Sequence, residues 1–459
     1  MRKLIDAILT PAKQARMLGA NQWQRWFLQS EHRFTITGLS RSGKSMLFTS
    51  LMTVLKYRSE EQYQCLPLLR YLPMELVDQM WLEPLNDLPM FPVEQHIEDL
   101  AAGQWPPATE SVAGFKLIVR LRQAHQLKRY LLPYTDVVFE FIDYPGEWLT
   151  DLPMLGKTYT QWSDSAWAQQ MNAPQQRYAK SWHDCVNAFD FEQPPTPENV
   201  QQLVIAYRRY LQEAKSKGIS MLQPGSFLIP GSGFDFTQQG FTPLPSRISS
   251  DVASPWTQCF TQHFEAFKHQ WLDKLKKDTF RQTDKQIILV DLFEGLNHSR
   301  SHLYQLRETL SHLADTFVYG NENWFKRHVL QQQGIAKVAF VATKADLVPV
   351  GQRDALLSLL KDVTRGATAR FKDGEVQFEH FLVSAIQATD EGSHDNALRY
   401  MNDEGRYMEA DFEALPPDLK SMPEDEHYPV LPAAVPPDYL ARMLNGKGLD
   451  RLLQFLLEK

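Results

Sequence analysis

Near the N-terminus a β-favouring run, a glycine-bounded loop and a helical pattern follow one another directly. The run covers residues 34–37, leucines recur at helical spacing from residue 47 to residue 55, and the loop between them reads Gly38-Leu39-Ser40-Arg41-Ser42-Gly43-Lys44-Ser45. The loop matches the P-loop pattern, in which successive backbone N–H groups face phosphate oxygens. This order of elements predicts a nucleotide-binding α/β fold.

The residue types of the loop suit the phosphates of a nucleotide. Lys44 is expected to reach the β- and γ-phosphates, and the Ser45 hydroxyl to ligate Mg²⁺. Arg41 is either a phosphate contact or an ordinary surface arginine, and both interpretations stay open. The residues predicted to bind nucleotide here are Gly38, Ser40, Arg41, Ser42, Gly43, Lys44, Ser45 and Met46.

A second phosphate motif follows a strand predicted over residues 137–142. Asp143 at its end is expected to hold the metal, and Gly146 to contact and sense the γ-phosphate. Glu147 stands where many GTPases carry a glutamine that orients the attacking water. Because a carboxylate accepts a hydrogen bond from that water but repels the γ-phosphate, a catalytic role and a role as a solvated switch residue both stay open.

A threonine that meets Mg²⁺ when the γ-phosphate is present is expected between the first helix and this motif. Thr109 follows Pro106 and Pro107 and precedes a strand predicted over 115–121. It is therefore the predicted ligand, with Ser111 as the fallback. The predicted metal ligands are Ser45, Thr109 and Asp143, and the predicted catalytic residues are Lys44, Thr109, Gly146, Glu147 and Arg41.

The base of the nucleotide is expected to meet residues that follow two later strands. Thr343-Lys344-Ala345-Asp346 closes a strand predicted over 338–342. The Asp346 carboxylate accepts the N1–H and the amine of guanine, whereas adenine presents an acceptor at N1. The Lys344 stem can lie along the base ring. Ser384-Ala385, after a strand at 381–383, offers a backbone N–H to guanine O6.

The order of these motifs resembles that of TRAFAC-type GTPases. The loop at 38–45, the run Phe-Ile-Asp-Tyr-Pro-Gly-Glu-Trp at 141–148 and the Thr-Lys-Ala-Asp sequence resemble more closely the YcjX family of bacterial, stress-associated predicted GTPases. The resemblance spans nearly the whole chain, and it implies a GTPase-like core with helical additions and a link to envelope or heat stress. Thr343 replaces the more usual asparagine and Glu147 the usual glutamine.

The rest of the sequence predicts the architecture. Strand and helix patterns alternate, which indicates an α/β fold with a mostly parallel sheet, helices on both faces and one antiparallel edge pair, 115–121 with 137–142. A helix is predicted to begin after Thr196. The predicted parts are an N-terminal helix at 1–29, a first core part at 30–147 with an insertion at 58–108, a helical insertion at 148–285, a second core part at 286–387, an acidic, proline-rich, irregular insertion at 388–444 and a C-terminal core helix at 445–459.

The net charge and the cysteine content limit which binding partners and which cellular compartment are expected. The net charge of −7 argues against a general nucleic-acid or membrane-surface binder, because such binders need a basic face, and no specific nucleic acid is expected. The chain has no apolar run long enough for a transmembrane helix, and a peripheral membrane contact of residues 1–29 stays open without being indicated. Cys65, Cys185 and Cys259 form neither a disulfide framework nor a zinc spacing, so a reducing cytoplasm is expected.

Together these features predict a protein that binds GTP or GDP with Mg²⁺, hydrolyses GTP slowly and works as a switch. The helical insertion directly follows Gly146, so we expect it to meet a protein effector, which the sequence does not identify. Two other classes stay open. One is an ATP-dependent P-loop enzyme, and the other is a nucleotide-stabilised scaffold without useful turnover.

Overall fold

The computed structural model describes residues 31–39, 41–56, 77–85, 88–107, 111–122, 134–172, 174–217, 219, 221–229, 233–275, 285–298, 300–319, 336–370, 376–423, 428–444 and 446–457. The strands are β1 (Glu31–Gly38), β2 (Val77–Pro84), β3 (Ala113–Arg122), β4 (Tyr134–Asp143), β5 (Lys285–Val290), β6 (Lys337–Ala342), β7 (Gln377–Leu382), β8 (Thr389–Glu391), β9 (Ala397–Met401) and β10 (Tyr407–Asp411). The predicted helix at 1–29 and Cys65 lie outside these residues.

The helices are α1 (Lys44–Lys56), α2 (Val93–Ala101), α3 (Gly146–Leu149), α4 (Tyr159–Gln170), α5 (Gln176–Ala188), α6 (Pro197–Ser216), α7 (Phe236–Gln239), α8 (Ser246–Ser249), α9 (Pro255–Phe267), α10 (Leu292–His298), α11 (Arg300–Tyr319), α12 (Arg353–Val363), α13 (Arg365–Arg370), α14 (Tyr439–Leu444) and α15 (Leu449–Leu457). A π-helical segment at Lys268–Leu272 continues α9. The Thr196 hydroxyl accepts a hydrogen bond from the Asn199 N–H and so caps α6, as predicted. Among the described residues, no helix is both long enough and apolar enough to cross a membrane.

A seven-stranded sheet with the order β2-β3-β4-β1-β5-β6-β7 carries the site. β1 pairs in parallel with β4 and β5, and β5-β6-β7 continue in parallel. Side chains of β5 alternate between two cores, as strand geometry requires. Ile287 and Leu289 join a cluster with α1 and α15, whereas Ile288 and Val290 join one with α11 and α12. The predicted α/β fold with helices on both faces is confirmed.

The predicted antiparallel edge pair is partly wrong. β3 and β4 do pair in antiparallel fashion, but β2 pairs with the other side of β3 and forms the edge. β2 lies inside the segment at 58–108 that the sequence analysis treated as an insertion. Its acidic residues and its final proline hide the strand pattern, and an edge strand tolerates such residues because one side of it needs no partner.

The prediction that residues 388–444 are irregular is also wrong in part. β8, β9 and β10 form a small antiparallel sheet, and α14 lies near the end of the segment. These strands are three to five residues long, and most residues of β10 are exposed, whereas β8 and β9 are partly buried. Strands this short contain too few residues for the alternation of buried and exposed positions on which a sequence-based prediction depends.

Asp151 connects the segment that follows α3 to residues 225–226, within the helical region predicted at 148–285. Its Oδ1 accepts a hydrogen bond from the Gly225 N–H at 2.7 Å. Its Oδ2 accepts from the Ser226 N–H at 2.9 Å and from the Ser226 hydroxyl at 2.7 Å. Burial raises the pKa of Asp151 to about 7, although these donors oppose the shift.

We expect Asp151 to make the protein less stable as the pH rises through the range set by this shift. The folded state holds the proton more tightly than the unfolded chain between the ordinary pKa of 3.8 and about 7. The contribution of Asp151 to the free energy of unfolding is therefore largest below this range and falls within it by at most about 1.4 kcal/mol per pH unit. Asp151→Asn removes this titration, so urea unfolding should show a larger stability gap between wild type and variant at pH 5 than at pH 7.5. Equal gaps would contradict the argument, and the exposed Asp184→Asn serves as the control.

Candidate nucleotide site

The loop between β1 and α1 has the backbone geometry of an anion cradle. Arg41 and Gly43 adopt φ angles of 65° and 81°. Glycine adopts this left-handed conformation freely, whereas a non-glycine residue pays roughly 1–2 kcal/mol for it. A Cβ added at Gly38 would lie 2.4 Å from Ser42 Oγ and 2.9 Å from Leu289 Cβ. Both glycines of the motif are therefore required by the path of the backbone.

Lys44 is the first residue of α1, and its ammonium group lies inside this loop. The Nζ atom donates to the Gly38 carbonyl at 3.0 Å and to the Leu39 carbonyl at 3.3 Å. Burial lowers the pKa of Lys44, and the negative charges of Asp143 and Glu147 act in the opposite direction. A buried cation held by two carbonyl groups is already in place for an anionic ligand.

Two predicted metal ligands lie close to Lys44. The Ser45 hydroxyl donates to the Pro107 carbonyl at 3.3 Å. Asp143 is fully buried at the end of β4, in register with Ile36 of β1. Hydroxyl and carboxylate oxygens are ligands that Mg²⁺ accepts, so these residues fit the predicted ion. Thr109 and Ser40 lie outside the described residues.

Glu147 follows Gly146 in α3 and is buried, with its side chain 5% exposed. Lys215 of α6 forms an ion pair with it, with 2.9 Å between Lys215 Nζ and Glu147 Oε1. This burial excludes the interpretation of Glu147 as a solvated residue. No feature of the sequence pointed to Lys215 as its partner, because the two residues lie in different parts of the chain.

The residues predicted to read the base follow β6. Lys344 has a φ of 59° and its Nζ donates to Asp291 Oδ2 at 2.6 Å, which holds the side chain at the ends of β5 and β6. The Asp346 carboxylate is buried and accepts from the Ser384 hydroxyl at 2.6 Å and from the Ala388 N–H at 2.9 Å. Burial raises the pKa of Asp346, and these two donors oppose the shift. Because each carboxylate oxygen has two lone pairs, Asp346 still has an acceptor position on both oxygens.

Residues of the phosphate loop, of α3 and of the base-reading sequence line one cavity of about 680 Å³. This volume is in the size range of small-molecule sites. The predicted residues in its wall are Arg41, Gly43, Lys44, Ser45, Met46, Glu147, Thr343, Lys344, Asp346 and Ala385. Other predicted residues adjoin the wall. Ser42 and Gly146 are neighbours of lining residues in the chain, the Gly38 carbonyl accepts from Lys44, Asp143 acts on the charge of Lys44, and Ser384 holds Asp346.

Two further segments line the cavity, and the sequence analysis missed both. One contains Trp105, Pro106 and Pro107, and the other contains Val430, Leu431 and Ala433 of the acidic segment. Trp105 Nε1 donates to the Ala433 carbonyl at 2.9 Å, so the two segments join. For the first segment, the Trp-Pro-Pro sequence shortly before Thr109 was the only feature of the sequence that could have indicated a place in the cavity wall. Nothing in the sequence indicated the second.

A buried hydroxyl without a partner among the described residues lies in one residue of the cavity wall. Within the part of the chain that the structure describes, Thr343 Oγ1 has no hydrogen-bond partner. An unsatisfied buried hydroxyl costs about 1–3 kcal/mol. A Cβ added at Gly43 would lie 3.5 Å from Thr343 Cβ, so the hydroxyl lies where the phosphate loop meets the base-reading sequence.

Comparisons with known proteins found a matching family model and similar proteins. The model of the YcjX-like family, DUF463, matches residues 32–459. The chain is 28% identical over 372 residues to the protein named "Ras-like GTPase YcjX" of Escherichia coli (strain K12), which covers 78% of this chain and 79% of that protein. It is 25% identical over 381 residues to the protein of the same name of Shewanella oneidensis (strain MR-1), which covers 78% of each chain.

Proposed function

The chain belongs to the YcjX-like family, and on this basis we propose that it binds guanine nucleotide with Mg²⁺ and slowly hydrolyses GTP as a nucleotide-dependent switch. The observation that carries the proposal is that Lys44 of the phosphate loop and Asp346 of the base-reading sequence line one cavity. A nucleoside phosphate needs both kinds of contact at once. The names of the two relatives, both Ras-like GTPases, support the choice of guanine.

Each residue has a role in this proposal. Lys44 and the N–H groups of the loop bind the phosphates, and Asp346, Lys344 and the backbone at 384–385 hold the base. Ser45, Thr109 and Asp143 would hold Mg²⁺, which when bound supplies positive charge at the phosphates. Gly146 and Thr109 respond to the γ-phosphate.

Titration calorimetry with GDP, GTP and ATP in the presence of Mg²⁺ tests the choice of nucleotide. We expect both guanine nucleotides to bind and ATP to bind at least ~100-fold more weakly, since ATP leaves the Asp346 acceptors unmatched. Equal affinity for ATP and GTP would favour an ATP-dependent enzyme. Tight GTP binding without single-turnover hydrolysis would favour the scaffold.

We expect basal hydrolysis of order 10⁻³ per second or slower, as in GTPases that lack a supplied arginine. Arg41 is exposed at the cavity. If it acts on the phosphates in cis, turnover is faster and Arg41→Ala slows it. Single-turnover measurements on the wild type, Arg41→Ala and the control Arg208→Ala, an exposed residue of α6, decide this. Rapid turnover that Arg41→Ala leaves unchanged would contradict slow hydrolysis and the role of Arg41 together.

The proposal extends to partner and compartment. The helical region predicted at 148–285 closely follows Gly146, which supports it as the surface that meets a protein effector. The free thiols of Cys185 and Cys259 support a reducing cytoplasm. The link to bacterial stress rests on the family resemblance alone, and neither a nucleic acid nor a membrane partner is part of the proposal.

A further inference from the structure

The helical region contributes a cation to the second phosphate motif. Lys215 lies in the last turn of α6, and its Nζ is 2.9 Å from Glu147 Oε1. The Lys215 side chain is 31% exposed and that of Glu147 is 5% exposed. One end of this ion pair therefore faces solvent on the helical region, and the other end is part of the cavity wall.

The carboxylate lies where an unpaired negative charge would oppose a nucleoside triphosphate. Glu147 and Lys44 line the same cavity, and the charge of Glu147 acts on Lys44. A buried charge that loses its partner is strongly unfavourable. In that position it would also repel the γ-phosphate, because like charges in a partly buried site are only weakly screened. Lys215 offsets this charge through its ion pair with Glu147.

Both ends of the pair are held by rigid structure. The Glu147 carbonyl accepts from the Thr150 hydroxyl at 2.7 Å, and a Cβ added at Gly225 would lie 2.1 Å from that carbonyl. Trp148 packs against Trp271, with 4.9 Å between the ring centroids. Lys215 lies on α6 directly after Ala214, which is fully buried. A displacement of Glu147 is therefore coupled to the helical region.

We propose that Lys215 is a positioning residue for the nucleotide site. It holds Glu147 in the cavity wall, compensates its charge so that a γ-phosphate is tolerated, and couples the presence of that phosphate to α6. The inference rests on the proposed function and deepens it, because it assigns the recognition of GTP over GDP to a residue of the helical region.

A double-mutant cycle with GDP and a non-hydrolysable GTP analogue tests this role. Lys215→Ala should weaken binding of the GTP analogue about tenfold or more, because Glu147 then repels the γ-phosphate. Binding of GDP, which lacks that phosphate, should change less than about threefold. Lys215→Arg should restore wild-type affinity for the analogue. Adding Glu147→Gln to Lys215→Ala should also restore it, because the glutamine has no charge to compensate.

A purely structural ion pair gives a different result. Affinities for GDP and for the analogue would then fall together, and Glu147→Gln would not restore them, which would overturn the inference. Lys217→Ala, an exposed lysine at the end of the same helix, is the matched control and should change neither affinity. Wild-type protein that binds neither nucleotide would instead overturn the proposed function. Urea unfolding of each variant confirms that the comparison is made on folded protein.

Discussion

Lys44→Ala is expected to weaken the binding of GDP and GTP by about 2–4 kcal/mol, a factor of roughly 30 to 900. The Lys44 ammonium is buried and lies between the Gly38 and Leu39 carbonyls, inside the curl of the loop. Alanine removes this charged donor, so the phosphate oxygens of the ligand would face the two carbonyl oxygens with no positive charge between them. Charge-assisted hydrogen bonds in a buried site are the strongest polar contacts available here.

Calorimetric titration in the presence of Mg²⁺ measures this loss. Lys361→Ala, an exposed lysine on α12, is the control and should leave both affinities unchanged. Since the pKa of Lys44 is lowered by burial, the uncharged alanine relieves a desolvation cost and the variant is expected to fold. If Lys44→Ala bound GDP and GTP with wild-type affinity, the assignment of residues 38–45 as a phosphate-binding loop would be wrong.

The phosphate loop was predictable because its signal is local. The glycines, Lys44 and Ser45 lie within eight residues, and each is required by the path of the backbone or by the chemistry. The same holds for β5 and β6, whose buried runs are readable without knowledge of the neighbouring strands. When the residues that determine a local structure all lie in one short segment, the sequence is sufficient to predict that structure.

The missed features depend on contacts between distant segments. β2 exists because β3 offers it a partner, and its own composition only weakly favours a strand. The segment with Val430, Leu431 and Ala433 is joined through the Ala433 carbonyl to Trp105, which lies far away in the chain. Similarly, the sequence shows that Glu147 stands where a glutamine is more usual, but its burial against Lys215 follows from how α6 packs. Tertiary packing decides such features, and one sequence alone does not encode them visibly.

Base recognition is the step at which the proposed GTPase and an ATP-dependent enzyme differ most. The Asp346 carboxylate is held by the Ser384 hydroxyl and the Ala388 N–H, and it has one acceptor position left on each oxygen. Guanine offers two donors, N1–H and the exocyclic amine, to such a pair of acceptors. Each charged hydrogen bond is worth about 1.5–3 kcal/mol, so a base that cannot form them is rejected strongly.

Asp346→Asn changes the donor pattern and preserves the local fold. The carboxamide oxygen can accept the Ala388 N–H, and the amide can then donate to Ser384 Oγ, which has lone pairs available. The Ala388 contact is kept, and the Ser384 contact is kept with its direction reversed, because Ser384 Oγ, which already accepts from the Asp346 N–H, then also accepts from the amide. The rest of the change falls on the ligand side. There one acceptor becomes a donor, which faces the exocyclic amine of guanine.

We accordingly expect Asp346→Asn to lose at least about tenfold in GDP affinity, since one charged bond worth about 1.5 kcal/mol or more is replaced by two opposed donors. Xanthine has a carbonyl where guanine has the amine, so the variant should bind XDP more tightly than the wild type does. Titrations with GDP, XDP and ADP on the wild type, Asp346→Asn and the exposed control Asp395→Asn measure both changes. A gain for XDP that matches the loss for GDP identifies Asp346 as the residue that reads the base. If Asp346→Asn keeps wild-type GDP affinity, Asp346 contributes only through Ser384 and Ala388, and the evidence for guanine in this cavity reduces to the phosphate loop and the family.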